Sequence, residues 1–473
     1  MKNIFIKLLF PTTLLLAVAC GSELEVEPQD VVSEEVARNS PQYREALAVG
    51  AYDRLADSDV YGGWIQMTSD LLGTNDNLRW SGTFFDPRAM FNKEVVAING
   101  QVEVTWTDTY QAINVCNEVL AEVAQEEDSA LQAKYEGEAK FIRGALYFEL
   151  VRLFGKDWSD GDPAANLGVP LKLEPTDLTY DSEANLIDRN TVAEVYTQVL
   201  ADLTDAIALL PEENFGAGNK NIFATSWAAK AMLARVHLQR QEYDEARVLA
   251  NDVIENGPFQ LIDRVDRVYN QSINTSEDIF ALQITNQDQS PTGVSETNSF
   301  QTFYADRSFG GRRDMRILGT HLALYDSTDD RRTLLFYEVG GNVFSGKYQD
   351  QFANISILRL AEMYLIRAEG NLLAGGTQVG PNTPGADLQV LRARSNAPAA
   401  SDTPTIEDIM LERKLELCFE GHFLHDIRRR QATITQQGEF PWTADVLVMP
   451  IPQRELDANP ALRGQQNPGY SED

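Results

Sequence analysis

The sequence predicts a mainly α protein: a helical-repeat scaffold carrying large irregular loop insertions and a few short strands. Three observations predict it. Apolar residues beyond about Glu34 recur at helical spacing in several long segments. One segment has the spacing of a two-helix repeat, and long stretches rich in Gly, Asn, Asp and Pro separate the periodic ones. With 473 residues, 43% of them hydrophobic, the chain can bury a large core and is not built for wholesale disorder.

The first element is a leader. Lys2 and Lys7 precede an apolar run from Leu8 to Ala19, which is too short to span a bilayer comfortably. Small residues Ala17 and Ala19 stand just before Cys20, and the acidic residues Glu23, Glu25 and Glu27 follow. The pattern resembles a bacterial lipobox. On that reading residues 1–19 are removed, Cys20 carries the lipid, and residues 20–45 form the anchor and a solvated tether. An ordinary secretory signal with an incidental cysteine is the other reading. No later stretch approaches 18 uninterrupted apolar residues.

The helices follow. "TWTDTYQAINVCNEVLAEV" sets Trp106, Tyr110, Ile113, Asn117 and Leu120 on one face. "KYEGEAKFIRGALYFELVRLFG" is apolar on most sides and should be deeply packed. "RNTVAEVYTQVLADLTDAIALLP" keeps Val192, Val195, Val199, Leu203, Ile207 and Leu210 in register. Thr191 and Glu194 offer it a capping box, and Pro211 marks its end. In "KAMLARVHLQRQEYDEARVLANDVIENGP", Leu233, Ala234, Tyr243, Ala246, Ala250 and Pro258 fall at the spacing of a tetratricopeptide repeat. Gln241 stands where the turn glycine is usual. A second helical pair is expected from "ISILRLAEMYLIRAEGNLLAGG" and "PGADLQVLRARSN".

Residues 60–100, 156–188 and 262–350 read as long irregular stretches, the last holding strand-like runs such as "DIFALQI". Loops of that length are functional or wrap a scaffold, so they are taken as insertions rather than linkers.

Acids outnumber bases 71 to 40, a net charge of −31. Such a chain repels nucleic acid phosphates and anionic membrane surfaces, so membrane contact is expected through the N-terminal lipid alone. Besides Cys20, only Cys116 and Cys418 occur, both in helix-like patterns, which suits buried apolar side chains rather than a disulfide framework. The P-loop, dinucleotide, HExxH and GxSxG patterns are absent, and no cofactor is expected. His422 and His425 in "HFLH" share a helical face but lack an evident third metal ligand, so an interhelix contact is the preferred reading. "DSTDD" (326–330) has oxygen ligands at short spacing without the glycine and distant glutamate of a calcium loop. A calcium site, or a polar turn in which Asp330 pairs with Arg331, are its two readings.

Sugars offer apolar faces and a rim of hydroxyls, which call for exposed aromatic rings flanked by Asn, Asp and Arg. "NDNLRWSGTFFD" (75–86) supplies Asn77, Arg79, Trp80, Phe84 and Phe85 in one loop. "SFQTFYADRSFGGRR" (299–313) supplies Phe303, Tyr304, Phe309 and Arg312. The competing reading is that these rings pin long loops to the scaffold. Trp106, Tyr110 and Tyr147 lie in helical register and are expected in the core.

These pieces, in this order, resemble the SusD/RagB family of outer-membrane nutrient-binding lipoproteins. The resemblance runs through "ALAVGAYDRL" (46–55), "GEAKFIRGALYFELVRLFG" (137–155), the repeat, "DDRR" (329–332) and "KYQD" (347–350). It continues in "ISILRLAEMYLIRAEG" (355–370), "LERKLELCFEGHFLHDIRR" (411–429) and "MPIPQRELDANPALRGQQNPGY" (449–470). Phe423 and His425 depart from the arginine and aromatic residue more usual there. The resemblance divides the chain into an N-terminal region over 46–215, the repeat over 216–262 and a C-terminal region over 263–473, within one compact body. It implies a surface-exposed, lipid-anchored, non-enzymatic protein. Such a protein would capture a nutrient glycan, or a peptide instead, and deliver it as a lid to a TonB-dependent transporter of the SusC type. It also implies that the repeat helices face that transporter. A surface glycan-processing enzyme and a structural adaptor are the readings from other classes.

Overall fold

A computed structural model describes residues 40–176, 183–216, 220–285 and 299–471. Cys20 and the leader lie outside the described residues. No helix among the described residues is long and apolar enough to cross a membrane.

The longer helices are α1 (Pro41–Leu55), α2 (Trp64–Leu72), α3 (Phe85–Asn92), α4 (Gly100–Glu122), α5 (Ser129–Phe154), α6 (Val192–Leu209), α7 (Ser226–Gln239) and α8 (Tyr243–Asn256). After them come α9 (Leu360–Leu373), α10 (Pro384–Ala393), α11 (Ile406–Glu416) and α12 (Phe423–Arg429). They stack serially: α1 on α4, then α5, α6, α7, α8 and α9, with α10 and α11 both against α9. This is the one-dimensional packing of a helical solenoid. Most starts are capped by short polar side chains. Asn99 accepts from the Val102 amide and Asp128 from those of Ala130 and Leu131. Thr191 and Thr405 each form a complete capping box, with Glu194 and Asp408.

α5 is the hub. Every residue from Phe141 to Phe154 is buried, as its all-round apolarity predicts. Gly144 lets α6 close on it: a Cβ there would lie 3.2 Å from the Cβ of Asp202. Arg143 crosses the same contact, gripping both oxygens of Asp202 at 2.9 and 2.8 Å and donating to Asn117 at 2.9 Å. In the repeat, Gln241 does adopt the left-handed conformation of the missing glycine, with φ +60°. Its side-chain amide donates to the Arg429 carbonyl at 3.0 Å, which ties the turn to α12.

Two expectations change. Residues 60–100 are not wholly irregular, because they contain α2, β1 (Leu78–Trp80) and α3. α2 is nine residues long and does place Trp64, Ile65, Met67, Leu71 and Leu72 at helical spacing, but Gln66, Thr68, Ser69 and Asp70 between them are buried too. The second helical pair begins five residues late: Ile355–Arg359 is a strand, and the helix starts at Leu360. The β-branched Ile355 and Ile357 suit the strand.

Besides a two-residue pair, Phe215–Gly216 with Lys220–Asn221, the other strands are β2 (Asp278–Leu282), β3 (Met315–Ile317), β4 (Phe336–Val339), β5 (Asn342–Ser345) and β6 (Ile355–Arg359). β2 pairs antiparallel with β6, and a four-stranded sheet runs in the order β1-β3-β5-β4. One hydrophobic cluster extends from Ala48 to Leu462, and a smaller one joins α9, α10 and α11. Cys116 and Cys418 are buried free thiols.

Candidate functional site

The strand β1 carries the first candidate loop into the sheet. It pairs with β3 in the register Leu78 to Ile317, Arg79 to Arg316 and Trp80 to Met315. The Ser81 amide then donates to the Asp314 carbonyl at 2.6 Å. The two segments singled out separately in the sequence, 75–86 and 299–313, are thereby joined into one face.

Alternation along β1 decides which side chains that face presents. Trp80 turns inward and is buried, while Arg79 is exposed. Trp80 therefore pins the loop. Its ring lies 5.8 Å from that of buried Phe303, which also meets Trp64 at 4.8 Å and Phe84 at 6.2 Å. Phe303 is thus the base on which Phe84 stands. Phe84 is 46% exposed, with the Arg312 guanidinium 4.1 Å from its ring centre. Arg312 is itself held by Asp314 at 2.9 Å. Phe85, at the start of α3, is 69% exposed. Phe309 is 40% exposed and packs edge-on against Tyr337 of β4 at 5.3 Å. A left-handed Gly310 turns the chain just after it.

Tyr304 does not belong to this face. It is fully buried and donates its hydroxyl to Asp70 at 2.8 Å, so it cannot stack on a ligand from solvent. Asn77 is buried as well, its carbonyl accepting from the Leu318 amide, and it faces a separate cavity. Two exposed apolar residues absent from the sequence candidates lie in the connection between α3 and α4. Val96 is 44% and Ile98 75% exposed, and the Asn99 side chain donates to the Asp86 carbonyl at 3.3 Å. One signal existed. Ile98 immediately precedes the N-cap of α4, where an apolar residue usually staples onto the fourth helical position. That position is Glu103, so Ile98 has no apolar partner there.

Elsewhere the polar candidates find protein partners. In "DSTDD", Asp326 accepts from Thr328, Asp330 from Asn396, and Asp329 pairs with Arg331 at 2.8 Å. Arg331 is thus held by Asp329, not by Asp330, because the same guanidinium must also reach Glu412 and Glu416. Among the described residues, the carboxylates close enough to share an ion are Asp57, Asp59 and Asp108. His422 and His425 are buried, and burial followed by the nearby arginines pushes both pKa values well below the usual range. Glu412, Glu416 and Glu420 pair mostly with partners outside their own segment, Arg331, Lys347, Arg359, Arg392 and Arg394.

A serial helix stack with long inserted loops that carry exposed rings defines a class: a repeat-scaffold protein with large loop insertions. The family described as starch-binding and associating with the outer membrane, SusD-like, matches residues 25–238, and the SusD family matches residues 340–441. The chain belongs to the SusD/RagB family. It is 24% identical to a SusD-like protein of Formosa agariphila across 98% of this chain and 99% of that one. To a SusD-like protein of Bacteroides ovatus it is 24% identical, across 90% and 83%. A solved SusD superfamily protein of Bacteroides thetaiotaomicron superposes with TM-score 0.80 at 26% identity, covering 90% and 99% of the two chains. A solved laminarin-binding SusD-like protein shares the fold, with TM-score 0.75 at 22% identity over 91% and 99%.

Proposed function

We propose that this protein captures a nutrient glycan at the bacterial cell surface without altering it. It is moored in the outer membrane through lipid on Cys20 and delivers the glycan, as a lid, to a SusC-type TonB-dependent transporter. The single observation that carries the reading is the set of exposed rings Phe84, Phe85 and Phe309. Phe84 stands on buried Phe303 with Arg312 stacked on it, Phe309 rests on half-buried Tyr337, and Phe85 is the most exposed of the three. A pyranose ring offers C–H faces to such rings and hydroxyls to Arg79 and Arg312. Solvent-exposed rings of this kind gain by being covered, about 25 cal/mol for each Å² of apolar surface buried. The laminarin-binding relative with the same fold lends the cargo class, and the family's description lends the outer membrane; the transporter partner rests on the family resemblance alone.

The test is direct. Titrate the full chain, in detergent, with a panel of polysaccharides by calorimetry and affinity electrophoresis, and assay the mixtures for new reducing ends. Binding without product supports capture, and turnover would refute it. A Phe84→Ala, Phe85→Ala variant that keeps full affinity with an intact fold eliminates this face. Co-purification of a barrel from solubilised outer membrane tests the transporter partnership.

A further inference from the structure

A second cavity, of about 320 Å³, opens beside the start of the same loop, between Asn77, α11 and α12. Ile406, Met410, Leu417, Phe423 and Ile427 give it apolar walls. Its volume suits one or two sugar rings. Its charges set it apart from the rest of a chain whose net charge is −31. Among the described residues no carboxylate lies within ion-pair distance of Lys414, which lines it; burial pushes its pKa down, only partly countered by the exposed Asp76, a penalty that a bound anion would offset. Arg430 lines it with the Tyr243 hydroxyl at 3.2 Å as its side-chain partner and no carboxylate. Arg413 donates from Nε to Asp426 at 3.2 Å, while its buried Nη1 has no acceptor at all. Asn77 Oδ1, in the same wall, is likewise buried without a partner. Asp426 is already shared between Arg413 and Arg429, which leaves two exposed acids nearby, Glu407 in the lining and Asp76 beside Lys414.

A half-desolvated ammonium is costly, and Arg430 beside it meets only a neutral hydroxyl. That cost is relieved by a negatively charged oxygen group on a body with apolar faces, whereas Arg413 Nη1 has no accessible surface and stays out of a ligand's reach. We infer that this cavity is a subsite for an acidic sugar residue, its carboxylate or sulfate held between Lys414 and Arg430 and its ring laid against Phe423 and Met410. The inference rests on the glycan-capture reading and narrows it to acidic glycans, whose charge a strongly acidic protein must neutralise locally.

The experiment compares ligands that differ only in charge. The full chain in detergent is titrated with digalacturonate and with its carboxyl-reduced counterpart, and with galactose 6-sulfate and galactose. The charged member of at least one pair binds about tenfold or more tightly, the range of a charge-assisted hydrogen bond, and the pair that shows it tells carboxylate from sulfate. Lys414→Gln abolishes that preference, and Glu407→Gln, an exposed change, strengthens it several-fold. The Phe84→Ala, Phe85→Ala variant retains it. Equal binding within both pairs, or a preference that survives Lys414→Gln, overturns the assignment while leaving neutral-glycan capture standing. Tighter binding of a glutamate-rich pentapeptide than of either acidic sugar also overturns it. Failure of every glycan to bind removes the capture reading as well.

Discussion

Replacing Glu416 with glutamine probes how the C-terminal half is held together. Glu416 has no solvent exposure and accepts from Arg331 at 3.1 Å, from Arg359 at 2.8 Å and from Arg394. The network around it is balanced: Arg331, Lys347, Arg359, Arg392 and Arg394 face Glu277, Asp329, Glu412, Glu416 and Glu420. At an effective dielectric of about 20, each contact near 3 Å is worth about 5 kcal/mol before desolvation, which takes back most of it. Removing one carboxylate leaves a buried positive charge uncompensated, and that costs about 3–5 kcal/mol. Urea unfolding followed by circular dichroism reads this directly. Adding Arg394→Gln restores neutrality and should recover at least about 1 kcal/mol, a coupling that a double-mutant cycle isolates. The pH profile has a definite sign. Burial alone would raise the pKa of Glu416, but Arg394, Arg359 and Arg331 outweigh it and hold the carboxyl below its ordinary range. A depressed folded pKa contributes stability that is present above the unfolded value, about 4.3, and lost as pH falls below it. The wild type should weaken steeply in acid below about pH 4, and the variant less so. A Glu416→Gln loss under about 1 kcal/mol, or an unchanged acid slope, would refute the account.

Asp70 has the opposite sign. Burial, only partly offset by the Tyr304 and Gly421 hydrogen bonds, raises its pKa to about 8, so the folded state keeps a proton that the unfolded chain releases near pH 4. Stability should fall as pH rises between those values, by up to about 1.4 kcal/mol per pH unit, and thermal melts of Asp70→Asn should show that slope removed. A Cβ at Gly73 would stand 2.1 Å from the Leu424 amide nitrogen. Gly73→Ala should therefore cost about 1–3 kcal/mol in urea melts by pushing α2 from α12. Phe85→Ala alone should weaken binding of a captured glycan by about 1–2 kcal/mol in calorimetry, with no change in melting temperature because the ring is exposed. An unchanged affinity removes Phe85 from the face.

Legibility followed the physics of each segment. α6 could be read residue by residue, because one face is buried and the other is wet, and Thr191 and Glu194 announce its start. α2 was harder to read, since it is short, lies between Gly-rich turns and has no side-chain N-cap to announce it, and its polar side of Gln66, Thr68, Ser69 and Asp70 is buried as well. The exposed Phe84, Phe85 and Phe309 were legible as aromatic residues in polar loops. Nothing in the sequence separated them from Trp80 and Tyr304, whose neighbours look alike. Strand alternation turned Trp80 inward, and a hydrogen bond to Asp70, 234 positions away, drew Tyr304 into the core. The walls of the cavity beside Lys414 come from residues 73–77, 406–417 and 422–433, which local pattern has no means of relating.

The sequence by itself determined the helical periods, their caps, the repeat spacing and the family, because each of these is written in residues close to one another along the chain. It also determined the acidity that any ligand must contend with. Tertiary structure alone decided which aromatic rings stay in water, which arginines answer which carboxylates, and where Lys414 is half-buried beside an apolar cavity. Those outcomes depend on burial, and burial is a property of segments brought together from distant parts of the chain.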